Sequence, residues 1–396
     1  MIRATRTQWI KFAVVLALYL IFLVWLRSWL GLVVVPFIFD AYITKKIPWT
    51  WWRESKNRHV VTVMGWVDAI VFALVAVYFV NLYFFQNYVI PSSSLEKSLL
   101  TGDYLFVSKM SYGPRVPQTP LHMPLAQHTL PFFNCKSYLE HPQWDYKRVK
   151  GLGDVQLNDI VVFNFPAGDT VATGVPNDDI YRLSYGAGKE LAKPVDLASM
   201  TPEQQRVVYD YYYQLGREYL KENPQNFGEI ISRPVDRREN YVKRCVGLPG
   251  QTLEIKDRII YLDGKANKEP DNVQYRYLVK TKRPIPDDLA HELGISKEDM
   301  MMYYTDASVY NMPLTEKAKA GLLARKDIVV SIENTPADDA GGLYPLNMYK
   351  NWTTDNYGPV WIPKKGETVK LTIENLPVYE LSLIHISEPT RRRGIS

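Results

Sequence analysis

Cysteine is nearly absent: the chain has two in 396 residues, Cys135 and Cys245. Two distant cysteines build neither a disulfide framework nor a zinc site. Two free thiols are the expectation, with a single bridge as the alternative. Histidine is sparse as well, and none has the setting of a catalytic base. His59 lies in a basic stretch, His122, His128 and His141 lie in a Pro-rich segment, and His291 lies in a polar helical stretch. Charge of one sign is not in large excess, since 47 basic and 42 acidic residues leave a net +5. That balance lacks the broad basic field of a nucleic-acid binder, and no RNA- or DNA-binding motif occurs. Internal repeats and low-complexity tracts are also missing. No metal or cofactor motif is found, so neither is expected.

Long apolar runs, by contrast, dominate the first ninety residues. One covers 12–39, interrupted by Arg27 and Pro36, and a second covers 66–85. A membrane-spanning helix needs about 20 mostly apolar residues. The second run meets that length. The first reads either as one long span carrying Arg27 or as a hairpin of two short pieces. The separator at 44–59 holds Lys45, Lys46, Arg53, Lys56 and Arg58 against Glu54, together with Trp49, Trp51 and Trp52. Basic loops stay on the cytoplasmic side and Trp clusters sit at the interface. The expected anchor is therefore 1–88, with everything after about Tyr88 external. Arg3, Arg6 and Lys11 favour the hairpin version. A second run behind the first, and no small-residue cleavage site between them, argue against a cleaved leader.

From Pro91 the pattern changes to short alternating runs. Segments 104–107, 160–163, 253–255 and 259–262 read as strands, and Asp263-Gly264 is a hairpin turn signal. Thr201-Pro202-Glu203 starts a helix predicted to reach about Lys221. The fold expectation is N-terminal transmembrane helices followed by a mainly β external domain over 89–380. Insertions are expected at about 113–155, as a Pro-rich surface loop, and at 177–238, as a helical insertion.

Four segments carry the chemistry. Ile90-Pro91-Ser92-Ser93-Ser94-Leu95 precedes Leu99-Leu100-Thr101-Gly102-Asp103. Asn158-Asp159-Ile160-Val161-Val162-Phe163 follows. Then come Tyr241-Val242-Lys243-Arg244-Cys245-Val246-Gly247-Leu248-Pro249-Gly250 and Asp257-Arg258-Ile259-Ile260-Tyr261-Leu262-Asp263-Gly264. Serines before a helix or strand are ordinarily caps and turns, and an isolated strand lysine ordinarily points to water. Together and in this order, behind apolar runs, these segments resemble the boxes of the bacterial type I signal peptidases, a family of serine–lysine proteases. The resemblance covers about 60–112, 155–167 and 239–270. It implies a signal-peptidase-like β fold and removal of signal peptides from exported preproteins at the outer face of the inner membrane. Small residues would be preferred at the first and third positions before the cut. Ser94 resembles the nucleophile and Lys243 the general base. Ser92 resembles the oxyanion donor beside the backbone N–H of Ser94, Leu95 replaces the family's methionine in the substrate groove, and Arg244 resembles a structural arginine beside the base. The implied partners are preprotein signal peptides and membrane lipid, with no required protein partner.

The chemistry is self-consistent. A serine hydroxyl needs a base to become a nucleophile. A lysine serves as that base only when neutral, against a reference pKa of about 10.4, and burial supplies the change at about 4 kcal/mol. Tyr241, Lys243 and Cys245 share one strand face, which suggests a dry slot between a ring and a thiol. Lys97 and Lys109 are rival bases in principle, and Lys109 resembles no catalytic position.

Two departures stand out. The usual Met-x-Pro-Thr is here Leu95-Glu96-Lys97-Ser98, and the family's late Gly-Asp-Asn box is not found. The segment Leu381-Ser382-Leu383-Ile384-His385-Ile386-Ser387 resembles the translation of a sequencing-library adapter. Residues 381–396 are thus expected to be an artefactual tail on an incomplete catalytic domain, with activity assigned to the full-length parent. Ser94-Leu95-Glu96-Lys97 also spells the Ser-x-x-Lys of penicillin-binding proteins, but Lys-Thr-Gly and Ser-Asp-Asn are missing. A membrane-tethered, non-catalytic scaffold is the remaining alternative.

Overall fold

The computed structural model describes residues 4–95, 97–130, 133, 135–165, 170–302, 304–306, 309–336, 343–346, 352–380 and 382–383. The chain forms two compact bodies. One comprises Met1–Tyr88, Tyr104–Val155 and Pro234–Arg238, the other Val89–Asp103, Gln156–Arg233 and Glu239–Ser396.

In the first body, α1 (Arg6–Leu26) opens with a capping box in which Thr5 and Gln8 exchange side-chain to backbone bonds. It ends where Arg27 enters the left-handed region at φ 51°. A 3-10 turn, Leu30–Val34, leads into α2 (Val35–Phe39), which has proline in its first turn. Phe39 then packs on Trp9 and Phe12, with ring centroids at 6.3 and 5.4 Å. The Tyr19 hydroxyl donates to Gly31 O at 2.7 Å. The 12–39 region therefore doubles back instead of running as one helix. Buried Asp40 fixes the return by accepting from the backbone N–H of Lys46 and Ile47 and from the Trp49 indole, at 2.8–3.1 Å.

Asn57 caps α3 (Arg58–Tyr83) by accepting from His59 N–H. The helix thus begins earlier than the predicted 66. Both α1 and α3 are long and apolar enough to cross a membrane, which fits a membrane-anchored protein. Behind them come β1 (Phe85–Val89), β2 (Tyr104–Ser108), β3 (Arg115–Val116) and β4 (Lys147–Arg148), paired β1–β2 and β3–β4. The Pro-rich loop is more firmly held than its composition suggests. Thr119 is fully buried and gives its N–H and hydroxyl to the Asp236 carboxylate at 2.9 Å each, while Arg237 Nε donates to the Thr119 hydroxyl at 2.7 Å.

The second body is built from small antiparallel sheets. Its elements are β5 (Ile160–Asn164), β6 (Thr170–Ala172), α4 (Ile180–Leu191), α5 (Pro202–Glu222), α6 (Pro224–Phe227), β7 (Ile230–Ser232) and β8 (Asn240–Arg244). Next come β9 (Thr252–Lys256), β10 (Ile259–Leu262), β11 (Lys265–Ala266), β12 (Gln274–Thr281), α7 (Asp287–Glu292) and α8 (Lys297–Met302). The last are β13 (Tyr304–Asp306), β14 (Val309–Thr315), α9 (Glu316–Ala324), β15 (Val329–Asn334) and β16 (Tyr357–Trp361). Strands pair as β5–β8, β6–β7, β11–β10–β9–β16 and β13–β14–β12–β15.

Asp263 and Gly264, both at positive φ (50° and 77°), make the hairpin turn after β10, as an Asp-Gly pair favours. Helices α4 and α5 touch backbone to backbone. A Cβ at Gly216 would lie 1.7 Å from Ser184 O, and one at Gly188 would lie 1.8 Å from Tyr212 O. Val279, Met312, Leu314, Leu322 and Ile328 form the driest core, where β12, β14 and α9 meet. Segment 369–373, which reads as a strand, is not one in the described structure. Asn375 instead accepts from Thr372 N–H and donates to Lys370 O, turning the chain. Residues 384–396, the bulk of the expected tail, lie outside the described residues.

Candidate active site

Ser94 stands on a loop closed at its base. Ile90 N–H donates to Asp103 O at 3.0 Å, Gly102 N–H donates to Ile90 O at 2.9 Å, and the Asp103 carboxylate accepts from Leu100 N–H at 2.7 Å. Gly102 sits at φ 91°, a conformation a side chain would strain. Within the loop, Ser93–Leu95 forms one 3-10 turn. Leu95 is buried and acts as its anchor, and its carbonyl accepts from Ser98 and Leu99 N–H at 2.8 and 2.9 Å. That leaves Ser94 exposed at the turn's crest.

Strand β8 supplies the other half. It pairs antiparallel with β5 in the register Val161↔Lys243 and Phe163↔Tyr241. Cys245 N–H donating to Asp159 O and Asn158 N–H donating to Cys245 O, both at 2.8 Å, continue the pairing. Tyr241 stacks on Phe165 with centroids 4.7 Å apart, and burial raises its phenol's pKa above the ordinary value. Lys243 Nζ donates to Ser94 Oγ at 2.7 Å, joining residues 149 positions apart. Arg244, on the opposite strand face, donates from Nη1 to Asn158 O and from Nη2 to Ser98 Oγ, each at 2.8 Å. It thus ties the serine turn to the strand that carries the lysine. The Gly247-Leu248-Pro249-Gly250 turn ends β8. At Gly247 a Cβ would meet Ile362 at 2.5 Å, and Gly250 lies at φ 92°.

The predicted residues therefore converge, with corrections of detail. Ser92 Oγ approaches Ser94 Oγ at 3.5 Å. Leu95 packs inward beneath the turn. Lys243 is exposed, not enclosed in a dry slot. Among the described residues the sheet carrying it has two strands, and Phe165 stacks on Tyr241 at one end of the face. Lys97 does not reach Ser94, because its amine donates to Gly294 O at 2.5 Å. Both cysteines are free thiols. Sequence reasoning missed Ser98 and Asn158 as the partners of Arg244. The one available signal was a polar side chain four positions after Ser94.

Residues 63–303 match the family model described as signal peptidase, peptidase S26. The signal peptidase I of Helicobacter pylori (strain ATCC 700392 / 26695) is 42% identical over 56 residues, 14% of this chain and 18% of that protein. The signal peptidase I P of Bacillus subtilis subsp. natto is 20% identical over 279 residues, 70% of this chain and 90% of that protein. The signal peptidase I of Bacillus amyloliquefaciens is 30% identical over 93 residues, 23% of this chain and 47% of that protein. The matched lengths of these relatives thus run from under a fifth to nine-tenths. No solved structure matches the chain. With a family model spanning more than half its length, the chain belongs to the signal peptidase family, peptidase S26.

Proposed function

We propose that the chain removes N-terminal signal peptides from exported preproteins at the outer face of the bacterial inner membrane, with Ser94 as nucleophile and Lys243 as general base. The observation that carries this reading is the 2.7 Å contact between Lys243 Nζ and Ser94 Oγ, within the reach a nucleophile and its base require. The neutral amine takes the Ser94 proton as Oγ attacks the scissile carbonyl. The Ser92 hydroxyl and the Ser94 N–H receive the developing oxyanion, each donor contributing about 3 kcal/mol. Collapse breaks the C–N bond, and the Lys243 ammonium protonates the departing amine. A water molecule, giving its proton to Lys243, then hydrolyses the Ser94 ester and frees the signal peptide. Small residues are expected at the first and third positions before the cut. A preprotein segment lying over Ser94 withdraws Lys243 from solvent, which supplies the desolvation a lysine base needs. Segments α1 and α3 span the membrane, with 44–59 on the cytoplasmic side and 89–380 outside.

The exposure of Lys243 in the free chain favours one second reading, a membrane-tethered scaffold that binds without cutting. A preprotein cleavage assay separates the two. The full-length protein is expected to cut after a small residue, and Ser94→Ala and Lys243→Met are each expected to abolish cutting. Cleavage surviving either substitution, or partner function unaffected by Ser94→Ala, rejects the peptidase reading.

A further inference from the structure

Lys97 is the lysine of the Ser-x-x-Lys pattern, and it stands at the proline position of the usual Met-x-Pro-Thr. Proline fixes its own φ and so stiffens a turn that contains it. Lysine does not, and the chain just after Ser94 then depends on other contacts for its shape. Lys97 makes such a contact inside the second body. Its side chain is half-buried, and its amine donates to Gly294 O at 2.5 Å, across 197 positions of sequence.

The acceptor is a fixed point. Strands β12, β14 and β15 with α7, α8 and α9 enclose a core drawn from residues 277–329. Gly294 lies in the turn between α7 and α8, at φ 67°, a conformation glycine takes without strain. Its N–H donates to His291 O at 3.0 Å. Both of its neighbours are packed into the core. Leu293 lies over α9 so closely that a Cβ at Gly321 would fall 2.3 Å from its Cδ2, and buried Ile295 gives its N–H to Ala290 O at 2.8 Å. The Gly294 carbonyl therefore cannot follow a drifting lysine without disturbing that core. On the other side of the contact, the serine turn closes through Leu95 O, which accepts from Ser98 and Leu99 N–H. Arg244 holds Ser98 from β8, and Lys97, one residue earlier, is held from the 274–334 unit. The turn is thus gripped from two directions.

We propose that Lys97 is a positioning residue for cleavage, a role that rests on the peptidase reading above. Its tether to Gly294 stands in for the stiffness of a turn proline and makes the 274–334 unit part of what holds Ser94 against Lys243. Lys97 moves no proton and touches no reacting atom. It acts through the turn, and the unit that follows the family-like segments has a catalytic purpose through this one contact.

Preprotein cleavage by the full-length protein, read beside amide hydrogen exchange, tests it. Lys97→Met keeps the stem and removes the donor. It is expected to lower kcat about tenfold, the scale of one charge-assisted hydrogen bond partly open to solvent, with KM little changed. Exchange at Ser98 and Leu99 is expected to speed up with it. Lys97→Pro restores stiffness without the tether and is expected to recover most of the rate, and Lys97→Arg to recover part of it. A contact that merely adds stability would lower the unfolding midpoint, leave kcat unchanged well below that temperature, and gain nothing from proline. Parental kcat and exchange in Lys97→Met, an effect confined to KM, or no recovery in both Lys97→Pro and Lys97→Arg overturns the assignment. Cutting by the parent that Ser94→Ala abolishes reports separately on the peptidase reading. Where the parent does not cut, the exchange rates of Lys97→Met alone decide whether the tether holds the turn.

Discussion

Arg244 offers the sharpest test of how the candidate dyad is held. Its guanidinium bridges Asn158 O and Ser98 Oγ at 2.8 Å each, and Ser98 N–H is in turn bonded to Leu95 O beneath Ser94. Arg244→Met keeps the stem and removes both bonds. Hydrogen bonds to a charged group are worth about 1.5–3 kcal/mol each, discounted here because the site is only half-buried. A loss of about 2–3 kcal/mol from the clamp is expected. A clamp weakened that far lets the serine turn drift, and a displacement of about 1 Å between reacting groups costs roughly 10²-fold in rate. Cleavage of a preprotein should therefore fall by about 30- to 100-fold in kcat, with KM little changed because Arg244 lies on the strand face opposite Lys243. Arg244→Lys should recover part of the loss by reaching one of the two acceptors. Amide hydrogen exchange at Ser98 and Leu99 reports the same loosening without any need for activity. If Arg244→Met leaves both the rate and those exchange rates at parental values, the clamp argument is wrong.

Lys109 predicts a pH effect of definite sign. Its folded pKa, about 8, lies below the ordinary 10.5, so the native chain gives up this proton first. Stability should rise with pH between those values, by about 3 kcal/mol in all, the full burden being present below pH 8 where the buried ammonium is charged beside Arg115 and Arg148. Thermal unfolding in neutral detergent should show this slope in the parent and lose it in Lys109→Met; a slope of the opposite sign rejects the reasoning. Gly216→Ala should force α4 and α5 apart, since the added Cβ falls 1.7 Å from Ser184 O, and cost about 1–3 kcal/mol or more. An unchanged unfolding midpoint would mean that the helices do not approach so closely.

Local patterns in the sequence located the elements that bear the chemistry. Short runs of strand-forming residues mark β2, β5, β9 and β10, and in β2 exposed and half-buried positions alternate as a strand's two faces require. The Thr201-Pro202 signal marks α5, where Thr201 and Gln204 close a capping box. Helix α4 lies within the expected helical insertion but carries no separate mark, because beyond Ile180 its buried face is built of tyrosine, serine and glycine, residues with little hydropathy signal. The sheet β13–β14–β12–β15 with α8 and α9 escaped notice because the core residues beneath it are drawn together from three strands, three helices and the loops between them.

The serine and the lysine could be named through the resemblance of their contiguous boxes, taken together and in order, to those of a known family. Whether they touch was decided by the register of β5 against β8 and by Arg244 reaching across to Ser98. The exposure of Lys243 and the reach of Lys97 to Gly294 were likewise decided in three dimensions. A side chain's solvent and its neighbouring charges come from whatever distant segments pack beside it, and adjacency along the chain does not encode them.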